Sequence, residues 1–134
     1  NFRVKRSIPM ANFPEPSRGE MLRAVAVARL LLPRVNIQAP PNLSAPYYDD
    51  LLDAGINDWG GISPLTPDFI NPEKPWPHLE QLRLRTEAKG FSLQQRLPVY
   101  PEFLPALTSK SGLLSEKLRA AADAYGLAKI KAAA

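Results

Sequence analysis

The residues of this chain that could serve as acids, bases or nucleophiles do not assemble into a convincing catalytic set. His78 is the only histidine, and it follows Pro77 at the start of a predicted helix, where a surface histidine is ordinary. One histidine does not furnish a convincing Ser-His-Asp set. The absence of cysteine excludes disulfides, thiolate metal ligands and a thiol nucleophile within these residues. Asp49, Asp50 and Asp53 resemble a carboxylate cluster. They fall within one short predicted helix, though, and read better as residues that suit its dipole and its solubility. No glycine-rich phosphate loop of known spacing is present. What remains is hydrogen-bonding chemistry, carried by Asn36, Gln38, Asn42, Ser63, Arg96 and Tyr100 around the tandem Gly60 and Gly61.

The stretch from Asn57 to Pro64 organises these residues. It reads as a short buried strand ending abruptly in a loop. Tandem glycines let another group approach the backbone closely. Ser63 then offers a hydroxyl, and Pro64 stops any ladder because it lacks an N–H. Such a strand end suits one wall of a ligand site; a bulge or a tight helix–strand packing point accounts for it as well. Arg96 is a candidate for an anion or carbonyl contact, since it opens a strand ahead of Leu97-Pro98. A surface ion pair with a neighbouring helix would explain it equally. Trp59 is expected to pack on a helix. Trp76, between prolines, reads as a loop anchor.

The elements that must position these groups alternate. Asn1 to Val4 forms the end of a strand. Ser17 and Glu20 make a capping box for a helix from Arg18 to about Leu32, with Met21, Leu22, Val25, Ala28, Leu31 and Leu32 at helical spacing. Pro33 ends it. Val35 to Ala39 is a strand stopped by Pro40-Pro41, and a loop begins at Asn42 and Ser44. A second helix spans roughly Pro46 to Ala54, with Tyr47, Leu51 and Leu52 inward and Gly55 at its end. After the glycine strand and a proline-punctuated loop, a third helix runs from about His78 to Lys89, with Leu79, Leu82 and Thr86 on one stripe and Gly90 closing it. Phe91 to Gln95 stands between a loop and a further helical turn. Arg96 to Tyr100 is a fourth strand, and Leu113 to Lys131 a final Ala-rich helix. Strand–helix alternation on this scale predicts a parallel sheet covered by helices, with ligands outside the carboxyl ends of the strands.

Side chains alternate along a strand. Asn36 and Gln38 share one face, and Ile37 and Ala39 the other. Arg96 and Tyr100 oppose Leu97 and Val99 in the same way. An open sheet could wet its polar face. In a closed barrel that face lines the lumen, where unpaired amides cost several kcal/mol, roughly, unless a polar ligand satisfies them.

Composition narrows the partners. The 134 residues suit one modest domain, and a hydrophobic content of 45% supports a folded core. A net charge of +4, without a basic face interleaved with aromatics, argues against nucleic acid. The apolar run Ala24 to Leu32 is interrupted by Arg29 and too short to span a bilayer, and no secretory signal is visible, so a cytoplasmic protein that avoids membranes is expected. The chain opens on Asn1, already in mid-pattern, as a piece of something larger would.

Several blocks resemble a known family. Asn1-Phe2-Arg3 with Pro9-Met10, Asn36 through Leu43, Ala54 through Pro64, Pro67-Asp68 with Asn71-Pro72, Pro75-Trp76-Pro77, and Arg96 through Glu102 are similar, in order and spacing, to the deazaflavin (FO) synthase family of radical S-adenosylmethionine enzymes. The resemblance reaches from Asn1 to about Phe103. It implies a (β/α)8 barrel of the TIM type, of which this chain would be roughly the C-terminal three to four βα units over residues 1–104. Residues 105–134 would follow as a helical segment. It implies S-adenosylmethionine and a [4Fe–4S] cluster held by three cysteines after the first strand. A 5′-deoxyadenosyl radical would abstract hydrogen from a tyrosine-derived ribityl-aminouracil adduct, which cyclises with loss of ammonia. The chain departs from that pattern in having no cysteine, so the resemblance implies ligand walls here and an inactive chain in isolation. Asn36, Gln38 and Asn42 would contact cofactor or substrate. Gly60 and Gly61 would give clearance, Ser63 a polar contact, and Arg96 and Tyr100 would close the lumen. The N-terminal half of the barrel and a sister synthase would be partners. Relatives within the same radical group remain alternatives: the sister synthase that attaches the tyrosine fragment, or a menaquinone-pathway enzyme. A non-catalytic half-barrel that only binds is a further alternative, of a different class.

Overall fold

The computed structural model of the chain describes residues 2–103, 115–121 and 123–124. It divides into two compact units, Asn1–Leu93 and Gln94–Ala134. The boundary drawn from sequence after residue 104 lies further along the chain.

The first unit begins with turns through residue 13 and then enters α1, Arg18–Leu31. The capping box forms as its sequence dictates. Ser17 Oγ accepts the Glu20 N–H at 3.2 Å, and the Glu20 carboxylate accepts the Ser17 N–H at 2.8 Å. The apolar stripe is only partly covered. Val25 is buried and Met21 and Leu22 pack against the core, whereas Leu30 and Leu31 are 80% and 73% exposed. Leu31 and Leu32 were expected inward. They stand in solvent because α1 finds α2 as its main helical neighbour among the described residues, and that contact covers one side only.

Residues 41–44, expected as loop, form a 3-10 turn that buries Pro41, Asn42 and Ser44. The second helix is shorter than its sequence suggests: α2 is Asp50–Ala54. Residues 45–49 wind instead through four-residue turns, among them Tyr47 N–H to Ser44 C=O at 2.8 Å and Asp50 N–H to Tyr47 C=O at 3.1 Å. Gly55 ends α2 at φ 112°, and the Ile56 N–H returns to the Leu51 C=O at 3.0 Å, a Schellman closure. After the proline-rich loop comes α3, Leu79–Ala88. Gly90 at φ 82° and a Phe91 N–H to Thr86 C=O bond of 3.2 Å close it in the same manner. Leu82 and Thr86 face inward as expected, but Leu79 is exposed.

The core of this unit is Val25, Ala39, Tyr48, Leu51, Leu52, Ile56, Trp59 and Leu82. Trp59 packs on α3 as expected, its indole N–H donating to Thr86 Oγ1 at 3.2 Å, while Thr86 donates to the Leu82 C=O at 2.7 Å. Tyr48 meets the Trp59 ring edge-on at 5.5 Å. Of the expected strands, the segments 35–39 and 57–61 meet in one parallel bridge, Gln38 with Asp58. Ala39 N–H donates to Asp58 C=O at 3.0 Å and Asn57 N–H to Ile37 C=O at 3.2 Å. Ala39 is buried in the core, Ile37 packs against it, and Gln38 is exposed, so the alternation read from the sequence holds for this segment. Neither residues 2–4 nor 96–100 belong to a strand.

Residues 91–97 carry no helical turn, and in the second unit Pro101–Phe103 forms a short 3-10 turn. Residues 116–121 are helical, within the expected final helix; most of its remaining span lies outside the described residues.

Candidate functional site

The bridge between 35–39 and 57–61 is anchored where the two segments begin. Arg29 reaches from α1 toward both. Its Nε donates to the Gly55 C=O at 2.7 Å, Nη1 to the carbonyls of Pro33 and Val35 at 3.0 and 2.8 Å, and Nη2 to Asn57 Oδ1 at 3.2 Å. Asn57 Oδ1 also accepts the Ile37 N–H at 2.8 Å, and its Nδ2 donates to Asn36 Oδ1 at 2.5 Å. Gly55 makes room for this arrangement. A Cβ there would stand 2.7 Å from Arg29 Cγ, in a backbone conformation that L side chains rarely adopt.

Beyond the bridge, at the carboxyl ends, Gln38 lies over Gly60. A Cβ on Gly60 would meet Gln38 Cδ at 3.2 Å, and Gly60 itself sits at φ 80° with its N–H on Asp58 Oδ1 at 2.7 Å. Gln38 thus offers an exposed carboxamide, with donor and acceptor both available. Gly61 faces open space, with nothing within 4 Å of a built Cβ. Ser63 is used to turn the chain: its Oγ accepts the Thr66 N–H at 3.0 Å and the Thr66 hydroxyl at 2.7 Å. The close approach expected of the two glycines is therefore carried by Gly60, and the guest there is Gln38.

Asn42 holds the loop that follows. It is fully buried, and its Nδ2 donates to Asp68 Oδ2 at 2.9 Å and to the Lys74 C=O at 3.1 Å; its Oδ1 has no protein partner. The Asp68 carboxylate collects further donors from Asn71 Nδ2 at 3.1 Å, the Asn71 N–H at 3.1 Å and the Ile70 N–H at 2.9 Å. These bonds, that from the Asn71 side chain first, hold its carboxyl down at about 2 against the opposing effect of desolvation. The N-terminal arm adds ties from Arg3 to the Leu43 C=O and from Lys5 to the Ile70 C=O. Arg3 also pairs with Glu15 at 2.6 Å, which lowers the Glu15 carboxyl below its ordinary value.

Asp49, Asp50 and Asp53 are ion-pair partners rather than a catalytic cluster. Asp49 meets Arg85 at 3.3 Å, Asp50 meets Arg18 at 2.6 Å, and Asp53 meets Lys89. Arg85 also covers the Tyr48 ring at 4.8 Å, and burial pushes the Tyr48 phenol up. His78 precedes α3 without capping it through its side chain. In the second unit Arg96 stacks on Tyr100 at 4.4 Å and bonds the Leu97 C=O at 2.7 Å, so these two residues are brought together locally. Among the described residues no cluster of three or more His, Cys, Asp or Glu could hold a metal, and no helix is long and apolar enough to cross a membrane. A surface hollow of about 410 Å³ between α1 and α2 includes none of the candidate polar residues.

Sequence reasoning missed Arg29 and the role of Asn57. The available signal was a charge inside the apolar run of α1. It also missed the physical meaning of Asp68 with Asn71, a turn-forming pair ahead of Pro72.

These residues make a short parallel bridge between segments 35–39 and 57–61, tied at its start by Arg29 and Asn57, with the Gln38 carboxamide over Gly60. Comparison with known proteins finds relatives over most of the chain. The chain is 54% identical over 104 residues to the 7,8-didemethyl-8-hydroxy-5-deazariboflavin synthase of Methanopyrus kandleri, covering 78% of this chain and 31% of that protein. It is 51% identical over 104 residues to the synthase of the same name from Methanococcus aeolicus, covering 78% of this chain and 29% of that protein. A protein named FO synthase from Streptomyces coelicolor is 50% identical over 105 residues, 78% of this chain and 12% of the relative. Over about 104 residues, then, the homologues of this chain at about 50% identity are proteins named deazaflavin or FO synthase. The chain spans about a third of the length of the first two relatives. No family profile matches it. No solved structure matches it.

Proposed function

We propose that this chain is part of a deazaflavin synthase, a radical S-adenosylmethionine enzyme. The parent would form 7,8-didemethyl-8-hydroxy-5-deazariboflavin by cyclising a tyrosine-derived ribityl-aminouracil adduct with loss of ammonia. The observation that carries this reading is 54% identity over 104 residues to a synthase of that name. The fold that suits it is the C-terminal part of a (β/α)8 barrel, and the parallel bridge between Gln38 and Asp58 across α2 is compatible with such a βαβ unit.

The iron–sulfur cluster does not fit these residues. It needs three cysteine thiolates, and the chain has none. The chain's contribution is recognition: the Gln38 carboxamide can donate to and accept from a uracil-like edge, with Gly60 leaving room for it. Asn36, Asn42, Gly61 and Ser63 belong to the same proposed wall, with Asn42 and Ser63 acting by shaping the loop that borders it; Arg96 and Tyr100 would form a polar contact of their own within the second unit.

The test uses the full-length parent protein, reconstituted anaerobically with iron and sulfide. Supplied with S-adenosylmethionine, a reductant and the adduct, it is expected to yield the deazaflavin, read by fluorescence and mass. A parent whose coding sequence lacks a C-x3-C-x2-C motif, or which forms no product beside an active control synthase, would sink the reading.

A further inference from the structure

We infer that Arg29 and Asn57 are positioning residues that fix the register of the parallel pair and thereby hold the Gln38 carboxamide over Gly60. The functional half of this inference rests on the synthase reading; the structural half does not.

A single bridge is weak support for a register. Its two backbone bonds are worth about 1 kcal/mol each, net. A slip of one residue would turn Gln38 into the core and expose Ala39. Something else must therefore select the register, and the side chains at the start of the pair do so. Arg29 ties the approach to the first segment, through Pro33 and Val35, to the approach to the second, through Gly55 and Asn57. A mere cap for α1 would bond carbonyls near that helix alone. Asn57 then continues the pairing with a side chain: its Oδ1 takes the Ile37 N–H and its Nδ2 reaches Asn36. One residue on, Asp58 bonds Gly60; two residues on from Asn36, Gln38 settles over that glycine. The planar fork of Arg29 serves four acceptors at once, which a lysine's single ammonium cannot do in this geometry.

The experiment is carried out on the full-length parent, with variants N57A, N57D, R29K, Q38A and the double variant N57A/Q38A. Hydrogen exchange is read at the Ala39 amide, which donates across the bridge, and at the Leu82 amide in α3 as control. N57A and R29K should speed exchange at Ala39 about tenfold or more and leave Leu82 unchanged. N57D keeps the acceptor for Ile37 and Arg29 but loses the donor to Asn36, and should speed exchange at Ala39 less than N57A does. In the deazaflavin assay, N57A should lower kcat/KM about tenfold, mainly through KM. In the Q38A background the same change should cost less than about twofold, because a residue acting through Gln38 has nothing left to position. A tenfold cost that persists in Q38A, or exchange that rises at Ala39 and Leu82 together, would overturn the inference. So would unchanged exchange at Ala39. A variant that fails to fold while N57D folds normally would also overturn it, since the role would then be global stability. A parent without deazaflavin synthesis would remove the synthase reading, and with it the functional half, while the exchange arm still decides the register.

Discussion

Gly55 and Gly60 each receive a side chain from an earlier element, Arg29 in one case and Gln38 in the other. Each also lies at positive φ; at Gly55 the close approach is a second demand against a Cβ, whereas at Gly60 the Gln38 side chain would have to give by only a few tenths of an ångström. Gly61, next in line, has neither restraint. Gly55→Ala is therefore expected to cost about 1–3 kcal/mol from the backbone conformation alone, with displacement of Arg29 in addition. Gly61→Ala should stay within about 0.5 kcal/mol. Urea denaturation of the full-length protein separates the two, and equal effects would contradict the geometry. A second residue-scale expectation concerns Trp59. Thr86→Val keeps the shape but removes the acceptor for the buried indole N–H, at a cost of about 1–3 kcal/mol. A smaller change, with an unshifted tryptophan emission spectrum, would show that the bond does not matter.

Among the elements, what the sequence disclosed was local. Ser17 with Glu20, Gly55 and Gly90 mark helix ends through contacts a few residues away, and the helices begin and end close to those marks. The tandem glycines pointed to a close approach, and Gly60 has one. What stayed hidden depends on distant partners. Nothing around Arg29 announces that its acceptors lie 26 and 28 positions on, at Gly55 and Asn57. Leu31 and Leu32 satisfy the helical period and still face solvent, because periodicity records which face is apolar and not whether another element reaches it. The Asp68 clasp is of the same kind. Asn71 could be guessed from the turn, but Asn42 arrives from 26 residues earlier. This clasp has a pH consequence. Its carboxyl is lowered from an ordinary 3.8 to about 2, so the unfolded loop binds the proton more readily than the folded one. The clasp's contribution is complete above about 4 and is lost as pH falls from there through about 2. An NMR titration of the Asp68 carboxyl should find its midpoint near 2, and Asn42→Ala should move it upward. A midpoint at the ordinary value would mean that the clasp does not form in solution.

For the whole molecule, the informative surface is the outward side of α1, where Val27, Leu30 and Leu31 are exposed, together with Leu32 and Val35 just beyond. Scattered apolar residues on a surface need no explanation, but five within nine positions form a patch with a direction. Under the synthase reading, the rest of the parent polypeptide packs on that face, as helices of a barrel pack side by side. Burying two leucines is worth roughly 3–6 kcal/mol, whereas a truly solvent-facing pair contributes almost nothing. Leu30→Glu with Leu31→Glu should therefore destabilise the full-length parent by about 3 kcal/mol or more, in denaturation followed by circular dichroism. The same two changes made in the 134-residue chain alone should raise its solubility and reduce concentration-dependent association in sedimentation, because there the patch has only other copies to meet. An isolated chain that sediments as a monomer before the change, with a parent indifferent to it, would show that this face meets water in the intact protein and that the barrel arrangement is wrong.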